Sequence, residues 1–472
     1  MKTAKHISAV LLFVATLLSA SCVKSYPDGL TEQEYNSLRY VNSFAKTIVD
    51  QYYLWKAEVQ EDIDSWKVTD DPIGKVNSIR YTEDVALVDR WTRMTDDYEL
   101  FMQKVDGNAK TLGLNIALYW SDEAQTSICA VVNYVYPGSP AEQAGLHRGD
   151  VITFVNGRQI PKDDYQNFIS ANLLNADSAS LELRSGLKVE LEAVQMYCDP
   201  LVHKAVFDCA GTKVAYLFYT SYTLDSRDSL KKAFSEFKEA GVSELILDLR
   251  YNGGGYDAAS RTLASLIAPR EVVENEKVFN TEIYNENLSE YFTNWSTFDP
   301  DCLDANIDAR KLYVLMTGNT ASASESTICG LSPYMEVVKI GKQSYGKFCG
   351  GYIFEGSAWY DEMKSMLTVS DWENGKKYAA NWGIYVMASR YADCNGNTPC
   401  MPNGFTPDVE VEDNPVQSIP IGDPQEQMLH AALTLAGYDF SQAASLSSAP
   451  ALLGPSIEMP LEFHSTGILL LN

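Results

Sequence analysis

The spacing of hydrophobic positions changes several times along the chain and predicts different elements in each region. Between residues 30 and 104, apolar residues recur at the three- and four-residue intervals of an amphipathic helix, as in Tyr40-Val41, Phe44-Ala45 and Ile48-Val49. The pattern predicts a small N-terminal helical domain over residues 30–104. No residue of this region suggests a chemical role.

Short strands, turns and one tight helix are predicted between residues 105 and 195. Ser139 is a suitable N-cap for the helix, and Glu142 completes a capping box. The strand predicted over residues 150–155 is followed by Asn156-Gly157, the dipeptide best suited to a tight hairpin turn. We therefore expect a β-rich domain over residues 105–195.

Strands alternate with helices over residues 196–445. The repeated order of strand, crossover helix and strand predicts an α/β core built on a largely parallel sheet. In such sheets ligands bind at the carboxyl ends of the strands. Both Asn252-Gly253-Gly254-Gly255 and Ser322 follow predicted strands, which makes that edge the candidate site. The strands are predicted over residues 214–220, 245–247, 312–316 and 337–340.

Composition narrows the possible partners. The chain has 37 Lys and Arg residues against 63 Asp and Glu residues, which gives a net charge of −26. Because no basic cluster stands out, the sequence argues against a nucleic-acid partner. No Cys-x-x-Cys pair occurs, so no zinc site is predicted, and no other metal or cofactor is expected. The pairs Cys394/Cys400 and Cys198/Cys209 are compatible with disulfides or with buried free thiols.

The N-terminus has the features of an export signal. Two lysines precede an apolar run over residues 7–20, which ends in Ser19-Ala20-Ser21-Cys22 and is too short to span a bilayer. It resembles the signal of a bacterial lipoprotein. That resemblance implies removal of residues 1–21, lipid modification of Cys22, and a tether over residues 22–29 that anchors the chain in the cell envelope. Plain secretion with cleavage near Cys22 is the alternative.

A serine nucleophile requires a base within hydrogen-bond reach. None of the five histidines lies in a recognisable constellation, and neither G-x-S-x-G nor H-E-x-x-H occurs. A lysine is therefore the better candidate base. Ser322 and Lys347 lie 25 residues apart, each just after a predicted strand, so neighbouring strands can bring them together.

Lys347 can act as a base at pH 7 only if its pKa falls by about 3 units. Burial supplies such a shift, and Tyr345 and Phe348 are compatible with a desolvated position. The base therefore requires an apolar pocket, which the local sequence permits.

Fixed N–H donors are also needed for the negative charge that develops on the carbonyl oxygen of a substrate. Ala323 offers one donor at a predicted helix N-terminus. Gly254 or Gly255 offers another, because a glycine has no side chain to keep the substrate from the backbone.

Three motifs around these residues resemble the core motifs of the carboxyl-terminal processing peptidases, also called tail-specific proteases. The 25-residue interval matches the Ser/Lys dyad of that family. The similarity covers about residues 105 to 440 and implies an α/β peptidase core in which Ser322 is the nucleophile and Lys347 the base. The motifs are Asp248-Leu249-Arg250-Tyr251-Asn252-Gly253-Gly254-Gly255, Ala321-Ser322-Ala323-Ser324-Glu325 and Gly341-Lys342-Gln343-Ser344-Tyr345-Gly346-Lys347.

Members of this family also contain a PDZ domain. Residues 138–146, together with Gly149-Asp150-Val151-Ile152, resemble bacterial PDZ modules. Leu112-Gly113-Leu114 resembles their carboxylate-binding loop, in which backbone N–H groups hold a chain end while the peptide adds as a strand to the sheet edge. An ordinary strand entry with a bulge is the alternative for this tripeptide.

One position departs from the family pattern. Many members place a glutamine four residues after the lysine to orient it, whereas this chain has Gly351, with Ser344 as a candidate substitute. Ser322 and Glu325 also form a capping box, which explains both residues without catalysis when taken alone. The pattern G-x-x-x-x-G-K that ends at Lys347 does not indicate a P-loop, because the Ser or Thr that should follow is absent.

The sequence thus predicts an exported serine endopeptidase of the carboxyl-terminal processing type, with polypeptides as its partners. Its architecture is an α/β peptidase core with a largely parallel sheet, a PDZ-like β-rich domain, a small N-terminal helical domain, and a C-terminal tail over residues 446–472 without a predicted function. One alternative is a catalytically weak or inactive peptide-binding protein on the same scaffold, which Gly351 motivates. Another is hydrolysis of an ester or glycan-linked acyl group by the same dyad.

Overall fold

The computed structural model describes residues 26–27, 29–442 and 453–457. The predicted signal, Cys22 and most of the predicted tail lie outside the described residues. Within the described part, no helix combines the length and the apolar character that crossing a bilayer requires. The helical, β-rich and α/β regions predicted from the sequence are all present.

The N-terminal region is organised by one long helix. Thr31 and Glu34 form a capping box at its start, in which the Glu34 carboxylate accepts from the Thr31 N–H at 2.8 Å. The helix then buries the residues between Tyr40 and Val49. The elements of the region are α1 (Glu32–Tyr52), α2 (Gln60–Asp64), α3 (Pro72–Ser78), β1 (Thr82–Glu83), β2 (Ala86–Leu87), β3 (Arg93–Thr95) and α4 (Tyr98–Val105).

The β-rich region consists of β4 (Asn108–Thr111), β5 (Leu114–Trp120), β6 (Ile128–Val135), α5 (Pro140–Gln143), β7 (Val151–Val155), α6 (Tyr165–Ile169), β8 (Ser178–Leu183), β9 (Lys188–Glu192) and β10 (Val194–Tyr197). Strands β5 to β9 form an antiparallel sheet in that order, and β4 pairs with β10. The predicted N-cap is confirmed, because the Ser139 hydroxyl accepts from the Glu142 N–H at 3.2 Å. Asn156 and Gly157 have φ values of 53° and 70°, which confirms the predicted tight turn.

The α/β region consists of β11 (Leu201–Cys209), β12 (Thr212–Tyr219), α7 (Ser226–Glu239), β13 (Glu244–Asp248), α8 (Asp257–Ile267), α9 (Arg270–Glu274), β14 (Val278–Tyr284), α10 (Glu286–Ser289), β15 (Trp295–Thr297), β16 (Lys311–Met316), α11 (Ala323–Leu331), β17 (Glu336–Gly341), β18 (Cys349–Glu355), α12 (Gly356–Glu362), α13 (Val369–Tyr378), β19 (Gly383–Ala392), β20 (Val409–Glu410) and α14 (Gln427–Ala436). The main sheet has the order β11-β12-β13-β16-β17-β20. All neighbouring strands in it are parallel except β11 and β12, so the predicted largely parallel sheet is confirmed.

Two central strands of the main sheet position the candidate site. Strands β13 and β16 are buried along nearly their whole length, as expected for strands covered by helices on both faces. The glycine run follows β13, and Ser322 lies between β16 and α11. Because the two strands are parallel neighbours, their carboxyl ends bring these segments to the same edge.

A second sheet is present that the sequence did not predict. Its order is β15-β14-β19-β18, and β3 of the N-terminal region adds to β19. One contact between this sheet and helix α11 is the hydrogen bond from Asn280 Nδ2 to Ser326 Oγ at 2.6 Å. Helix α12, which follows β18 of this sheet, contacts the N-terminal helix α1. The hydroxyl of Tyr360 in α12 donates to the Tyr40 carbonyl in α1 at 2.8 Å. The N-terminal region is therefore joined to the α/β region by a strand and by packing.

The described part of the C-terminal tail adds a last strand, β21 (Ser456–Ile457), to the edge of β5. Trp120 exchanges two backbone hydrogen bonds with this segment: its carbonyl accepts from the Gly454 N–H at 2.9 Å and its N–H donates to Pro455 at 3.0 Å. Ile457 packs against the hydrophobic core of the β-rich region. This segment thus occupies a sheet edge that would otherwise have unpaired backbone groups.

All eight described cysteines are free thiols, and most of them are buried. The disulfides considered for Cys394/Cys400 and Cys198/Cys209 are therefore wrong, and the alternative of free thiols holds. Burial raises the pKa of Cys198 to about 11. A thiol with so high a pKa is a poor nucleophile at neutral pH.

Candidate active site

Ser322 stands at a sharp turn between β16 and helix α11. Its φ and ψ angles are 63° and −114°, a positive-φ conformation that residues with a side chain rarely adopt. The residue is fully buried. Backbone strain of this kind concentrates at functional sites, where the surrounding structure must hold it. A strained strand-to-helix turn is also how α/β hydrolases present a nucleophilic serine.

The carboxylate of Glu325 holds the loops of the two predicted dyad residues together. Its Oε2 atom accepts from the backbone N–H of Ser322 at 3.0 Å and from that of Lys347 at 2.8 Å. Its Oε1 atom accepts from the Ser344 hydroxyl at 2.6 Å and from the Gly346 N–H at 2.8 Å. Burial raises the pKa of Glu325, while these hydrogen bonds act in the opposite direction. The predicted capping residue is therefore also the link between the two loops.

Lys347 lies in an aromatic pocket and is 1% exposed. Its Nζ atom donates to the Tyr385 hydroxyl at 3.2 Å and lies 5.1 Å from the centre of that ring. The ring centre of Trp91 is 5.5 Å from Nζ. Burial lowers the pKa of Lys347 to about 7, and the nearby charge of Arg93 acts in the same direction. A large fraction of this lysine is therefore neutral at neutral pH.

The sequence suggested that Tyr345 and Phe348 desolvate Lys347, but the pocket has further walls. Phe348 packs at the site against Trp91, with ring centres 5.9 Å apart, and Tyr345 stacks with Arg90. Trp91 comes from the N-terminal region. The expectation that this region has no chemical role is therefore wrong, because it supplies a wall of the lysine pocket.

The hydroxyl of Tyr391 forms a second link between the two loops. It donates to the carbonyl of Lys347 at 2.7 Å and lies 3.3 Å from the carbonyl of Ser322. Tyr391 is 1% exposed and belongs to strand β19, as Tyr385 does. Strand β19 therefore provides one tyrosine for the lysine side chain and one for the backbone of both loops.

Two of the predicted oxyanion donors, Gly254 and Ala323, lie beside the serine. A methyl group on Gly254 would lie 2.8 Å from Ser322 Cβ and 3.0 Å from the Ala323 nitrogen, so only glycine leaves this space open. The N–H of Gly254 already donates to Asn252 Oδ1 at 2.9 Å. A methyl group on Gly255 would instead lie 2.3 Å from the Tyr222 carbonyl oxygen, so Ala323 is the candidate donor that lies beside Ser322 without the Asn252 contact.

Gly351 and Tyr385 together explain the departure from the family pattern. A methyl group on Gly351 would lie 2.4 Å from the Val386 carbonyl oxygen, 2.6 Å from Met387 Cε and 2.9 Å from Tyr385 Cε2. The space next to Gly351 is thus filled by residues of strand β19, among them the tyrosine that contacts the lysine. The suggestion that Ser344 contacts Lys347 is wrong, because its hydroxyl donates to Glu325 and accepts from the Phe405 N–H at 2.7 Å.

Two models of known protein families match this chain. Residues 213–411 match the model of peptidase family S41, and residues 131–173 match a PDZ domain model. The core of this chain is an S41 peptidase domain. Both Ser322 and Lys347 lie within its matched residues.

Individual relatives agree with this assignment. The chain is 24% identical over 278 residues to the carboxyl-terminal-processing protease of Picosynechococcus sp., which covers 57% of this chain and 62% of the relative. It is 26% identical over 298 residues to a probable CtpA-like serine protease of Staphylococcus aureus, covering 60% of this chain and 55% of the relative. The chain thus spans about half to three fifths of the length of these relatives.

The fold agrees with a solved structure. A crystal structure of a putative S41 protease from Bacteroides fragilis superimposes with a TM-score of 0.64 at 23% identity. The superposition covers 88% of this chain and 98% of the other. The PDZ-like region and the S41 domain therefore belong to a shared overall fold.

Arg250 lies just before the glycine loop of the S41 domain and ties this part of the chain to a buried network of carboxylates. Its guanidinium is fully buried and contacts Asp248 at 2.7 Å, Glu426 at 2.7 Å and Asp413 at 3.0 Å. Its carbonyl accepts a hydrogen bond from the Thr317 hydroxyl. The ion pair considered for Arg250 and Asp248 is present, as part of a larger buried network.

Arg148 extends this network into the PDZ-like region. Its guanidinium donates to Asp413 at 2.5 Å and to the Tyr251 hydroxyl at 2.8 Å. Tyr251 also donates to Asp413 and directly precedes Asn252 in the glycine loop. A side chain of the PDZ-like region therefore contacts the segment that leads into the predicted oxyanion site.

The predicted carboxylate-binding loop lies at the start of β5, in a different sheet from the dyad. Leu112 is buried in the core of the PDZ-like region, and Gly113 has a φ of 83°. The Gly113 N–H donates to the Thr111 hydroxyl at 3.0 Å, and its carbonyl accepts from the Ser139 hydroxyl at 3.2 Å. Leu114 begins β5. The loop is thus fixed against the N-terminus of α5.

Proposed function

We propose that this chain is an exported serine endopeptidase of the carboxyl-terminal processing type. Ser322 attacks the carbonyl carbon of a peptide bond, and its hydroxyl proton passes to Nζ of Lys347. The observation that carries the proposal is the pairing of a lysine whose pKa is lowered to about 7 with a strained serine, both held by one carboxylate. The S41 match supports a peptidase.

The backbone N–H groups of Ala323 and Gly255 stabilise the oxyanion of the tetrahedral intermediate. As this intermediate collapses, the protonated Lys347 donates its proton to the leaving amine, and the acyl group remains on Ser322. Water then attacks the acyl-enzyme with Lys347 again as the base, which releases the second product and restores the serine.

Tyr385 orients Lys347 in this mechanism. Its oxygen accepts one N–H of the lysine at 3.2 Å and so restricts the directions in which the lone pair of the neutral amine can point. This contact supplies what the glutamine of other family members supplies. The alternative of a protein that only binds peptides rested on the missing glutamine. Because Tyr385 takes the orienting role in this mechanism, the missing glutamine no longer argues against catalysis.

The PDZ-like region engages the chain end of the substrate at Leu112-Gly113-Leu114. Residues 1–21 direct export, and a lipid on Cys22 anchors the chain in the cell envelope. Replacing Cys22 by Ala should release the protein into the soluble fraction while the enzyme remains exported. Retention of the variant on the membrane would contradict the anchor.

The central experiment measures cleavage of an unfolded polypeptide by the purified protein and labelling by a serine-reactive phosphonate. Wild type should cleave and be labelled, whereas Ser322→Ala and Lys347→Ala should do neither. Ser332→Ala and Lys342→Ala are matched controls, because Ser332 is an exposed serine next to the end of α11 and Lys342 pairs with Glu412 at the surface of the lysine loop. Equal activity of wild type and Ser322→Ala would refute the assignment.

A further inference from the structure

Asp89 is a fully buried carboxylate in the turn that leads into strand β3. Its Oδ1 atom accepts from the backbone N–H of Trp91 at 2.9 Å and from that of Thr92 at 3.0 Å. An Asp side chain that bonds to the backbone just ahead of it fixes the shape of a turn. Asp89 therefore determines where Trp91 and Thr92 stand relative to the rest of the chain.

Tyr53 holds the other oxygen of this carboxylate. Its hydroxyl donates to Asp89 Oδ2 at 2.8 Å and accepts from the Tyr81 N–H at 2.8 Å. Tyr53 is 1% exposed and directly follows helix α1. Hydrogen bonds to a carboxylate that is shielded from water are among the stronger ones in a protein. The turn is thus held at both carboxylate oxygens, and one of them connects it to the long N-terminal helix.

Trp91 joins this turn to the lysine loop. Its ring centre lies 5.5 Å from Nζ of Lys347 and 5.9 Å from the ring centre of Phe348, the next residue in that loop. Trp91 is 4% exposed, so its ring occupies space beside the amine that water would otherwise fill. A displaced ring would admit water to an amine that must stay desolvated to act as a base.

Thr92 joins the same turn to strand β19. Its hydroxyl accepts from the Met387 N–H at 3.1 Å. The preceding part of β19 pairs with β3, where Arg93 stands opposite Tyr385. Tyr385 is the residue that accepts from Nζ of Lys347. The turn and β3 therefore hold β19 at the tyrosine that contacts the lysine and just beyond it.

We propose that Asp89 is a positioning residue of the dyad, which acts through Trp91 and Thr92 to set the enclosure and the orientation of Lys347. The proposal rests on the proposed peptidase function. It adds a residue of the N-terminal region, which lies outside the segment that matches peptidase family S41. The N-terminal region is then a working part of the active site and not only a neighbour of it.

The charge of Asp89 must be separated from its geometry in any test. Burial lowers the pKa of Lys347 to about 7, and the negative charge of Asp89 acts in the opposite direction. Loss of this charge alone should therefore lower the pKa of the lysine further. The other titratable or charged groups that act on or contact the lysine include Arg93, Glu325, Cys349 and Tyr385.

Two substitutions of Asp89 make this separation. Asp89→Asn loses the charge but keeps an oxygen for the Trp91 and Thr92 N–H groups, so it should retain kcat within about threefold. Asp89→Ala loses the charge and both of these hydrogen bonds. Its kcat should fall about 10- to 100-fold with little change in KM, because the reacting groups are displaced. Equal kcat values in the two variants overturn the positioning role while the peptidase function stands.

A second position keeps the test valid if Asp89→Ala does not fold. Tyr53→Phe removes one donor to Asp89 and should lower kcat about three- to tenfold. Its matched control is Tyr40→Phe, since the Tyr40 hydroxyl donates to Asp371 at 2.9 Å in another part of the structure. The control for Asp89→Asn is Asp70→Asn, because Asp70 Oδ2 accepts from the Lys67 N–H at 2.9 Å. Both controls should keep the kcat of wild type, and a wild-type kcat in Tyr53→Phe contradicts the role of this hydroxyl.

Titration of Lys347 provides a readout that does not depend on turnover. Lysine labelled with 13C at Cε is followed by NMR in the Ser322→Ala background, and the Lys347 signal is the one lost in Lys347→Met. Asp89→Asn should lower the pKa of Lys347 by about half a unit or more through loss of the charge. Asp89→Ala loses the same charge, so any difference between the two variants comes from the turn.

The pKa of Lys347 should be at least about half a unit higher in Asp89→Ala than in Asp89→Asn, because a displaced Trp91 admits water to the amine. Equal pKa values in the two variants overturn the positioning role. The expected difference in a protein whose wild type cleaves no peptide would support the positioning of Lys347 and refute the peptidase function.

Discussion

Ser322 and Lys347 donate their backbone N–H groups to the same atom, Oε2 of Glu325, at 3.0 and 2.8 Å. The two loops come from different strand ends of the main sheet, and one oxygen fixes the distance between them. Glu325 is fully buried, so water does not compete for these hydrogen bonds. The geometry of the proposed dyad therefore depends on a third side chain, Glu325, to which the proposal gives no reacting role.

Replacement of Glu325 by Gln should reduce kcat about 100-fold, because a small displacement of the reacting groups is enough for such a loss. The amide group brings N–H donors toward backbone N–H groups and leaves at least one of them unpaired, which should cost about 1–3 kcal/mol of stability. Peptide kinetics and urea denaturation measure the two effects. Glu373→Gln, at an exposed position of α13, should change neither. Unchanged kcat in Glu325→Gln would contradict the proposed positioning role.

The kcat/KM of the enzyme should rise with pH to a plateau, with its midpoint near the Lys347 pKa of about 7. Only the neutral amine can accept the Ser322 proton, so protonation below this pH removes activity. Below this midpoint kcat/KM should fall tenfold per pH unit, as expected when the protonation of one group removes activity. A midpoint near 10, the range of an ordinary lysine, would show that Lys347 is not the desolvated base.

Substitution of Lys347 by Met should stabilise the protein while abolishing activity. Burial lowers the folded-state pKa of Lys347 to about 7, below the ordinary value of 10.5. Between these two pH values the unfolded chain binds more protons than the folded chain, so wild-type stability should rise with pH across this window. At pH 7 the gain from Lys347→Met should be about 2–4 kcal/mol and should nearly vanish above pH 10.5. Denaturation at both pH values measures it, and a destabilised variant at pH 7 would contradict the desolvation.

Replacement of Tyr385 by Phe should lower kcat about tenfold, the equivalent of one hydrogen bond that orients the base. The Tyr385 oxygen accepts from Nζ and favours the charged lysine, so its loss should also move the midpoint of the pH profile to lower pH. A merely structural tyrosine would not move that midpoint. Tyr360→Phe, which loses a buried hydroxyl far from the dyad, is the matched control.

Removal of the tail segment from the edge of β5 should expose that edge to peptides. A chain that ends at residue 452 loses the strand β21, whereas a chain that ends at residue 457 retains it. The shorter chain should bind a labelled peptide with an apolar carboxyl terminus about three- to tenfold more tightly, because no internal segment competes for the edge. Anisotropy titrations of both chains measure the difference. Identical Kd values would show that peptides use another surface.

The sequence was informative where a function depends on residues that are close together along the chain. The glycine run, the serine turn and the lysine loop could each be identified from their own motif, and the alternation of strands and helices explained why they meet. Tyr385 could not be assigned from sequence, because it lies 38 residues after Lys347 in an unremarkable apolar strand. Trp91 reaches the lysine only through the pairing of β3 with β19, a contact between distant segments that no local pattern encodes.

The second sheet escaped prediction for the same reason. Strands β14 and β19 pair along Thr281 to Tyr284, although about a hundred residues separate them in the chain. Gly351 was interpreted as a missing functional residue, whereas its lack of a side chain leaves room for strand β19, including Tyr385 and Met387. A glycine can thus indicate that the space beside it is occupied, but only the fold shows which residues occupy that space.

The buried arginine network determines how much of the chain is needed to make a stable protein. Arg250 lies inside the segment that matches peptidase family S41, but Asp413 and Glu426 lie beyond its end at residue 411, and Arg148 lies well before its start at residue 213. A fragment cut to the matched segment would leave the Arg250 charge buried with only Asp248 to compensate it, a change that costs about 3–5 kcal/mol in known buried pairs. An autonomous folding unit must therefore include at least the chain from Arg148 to Glu426.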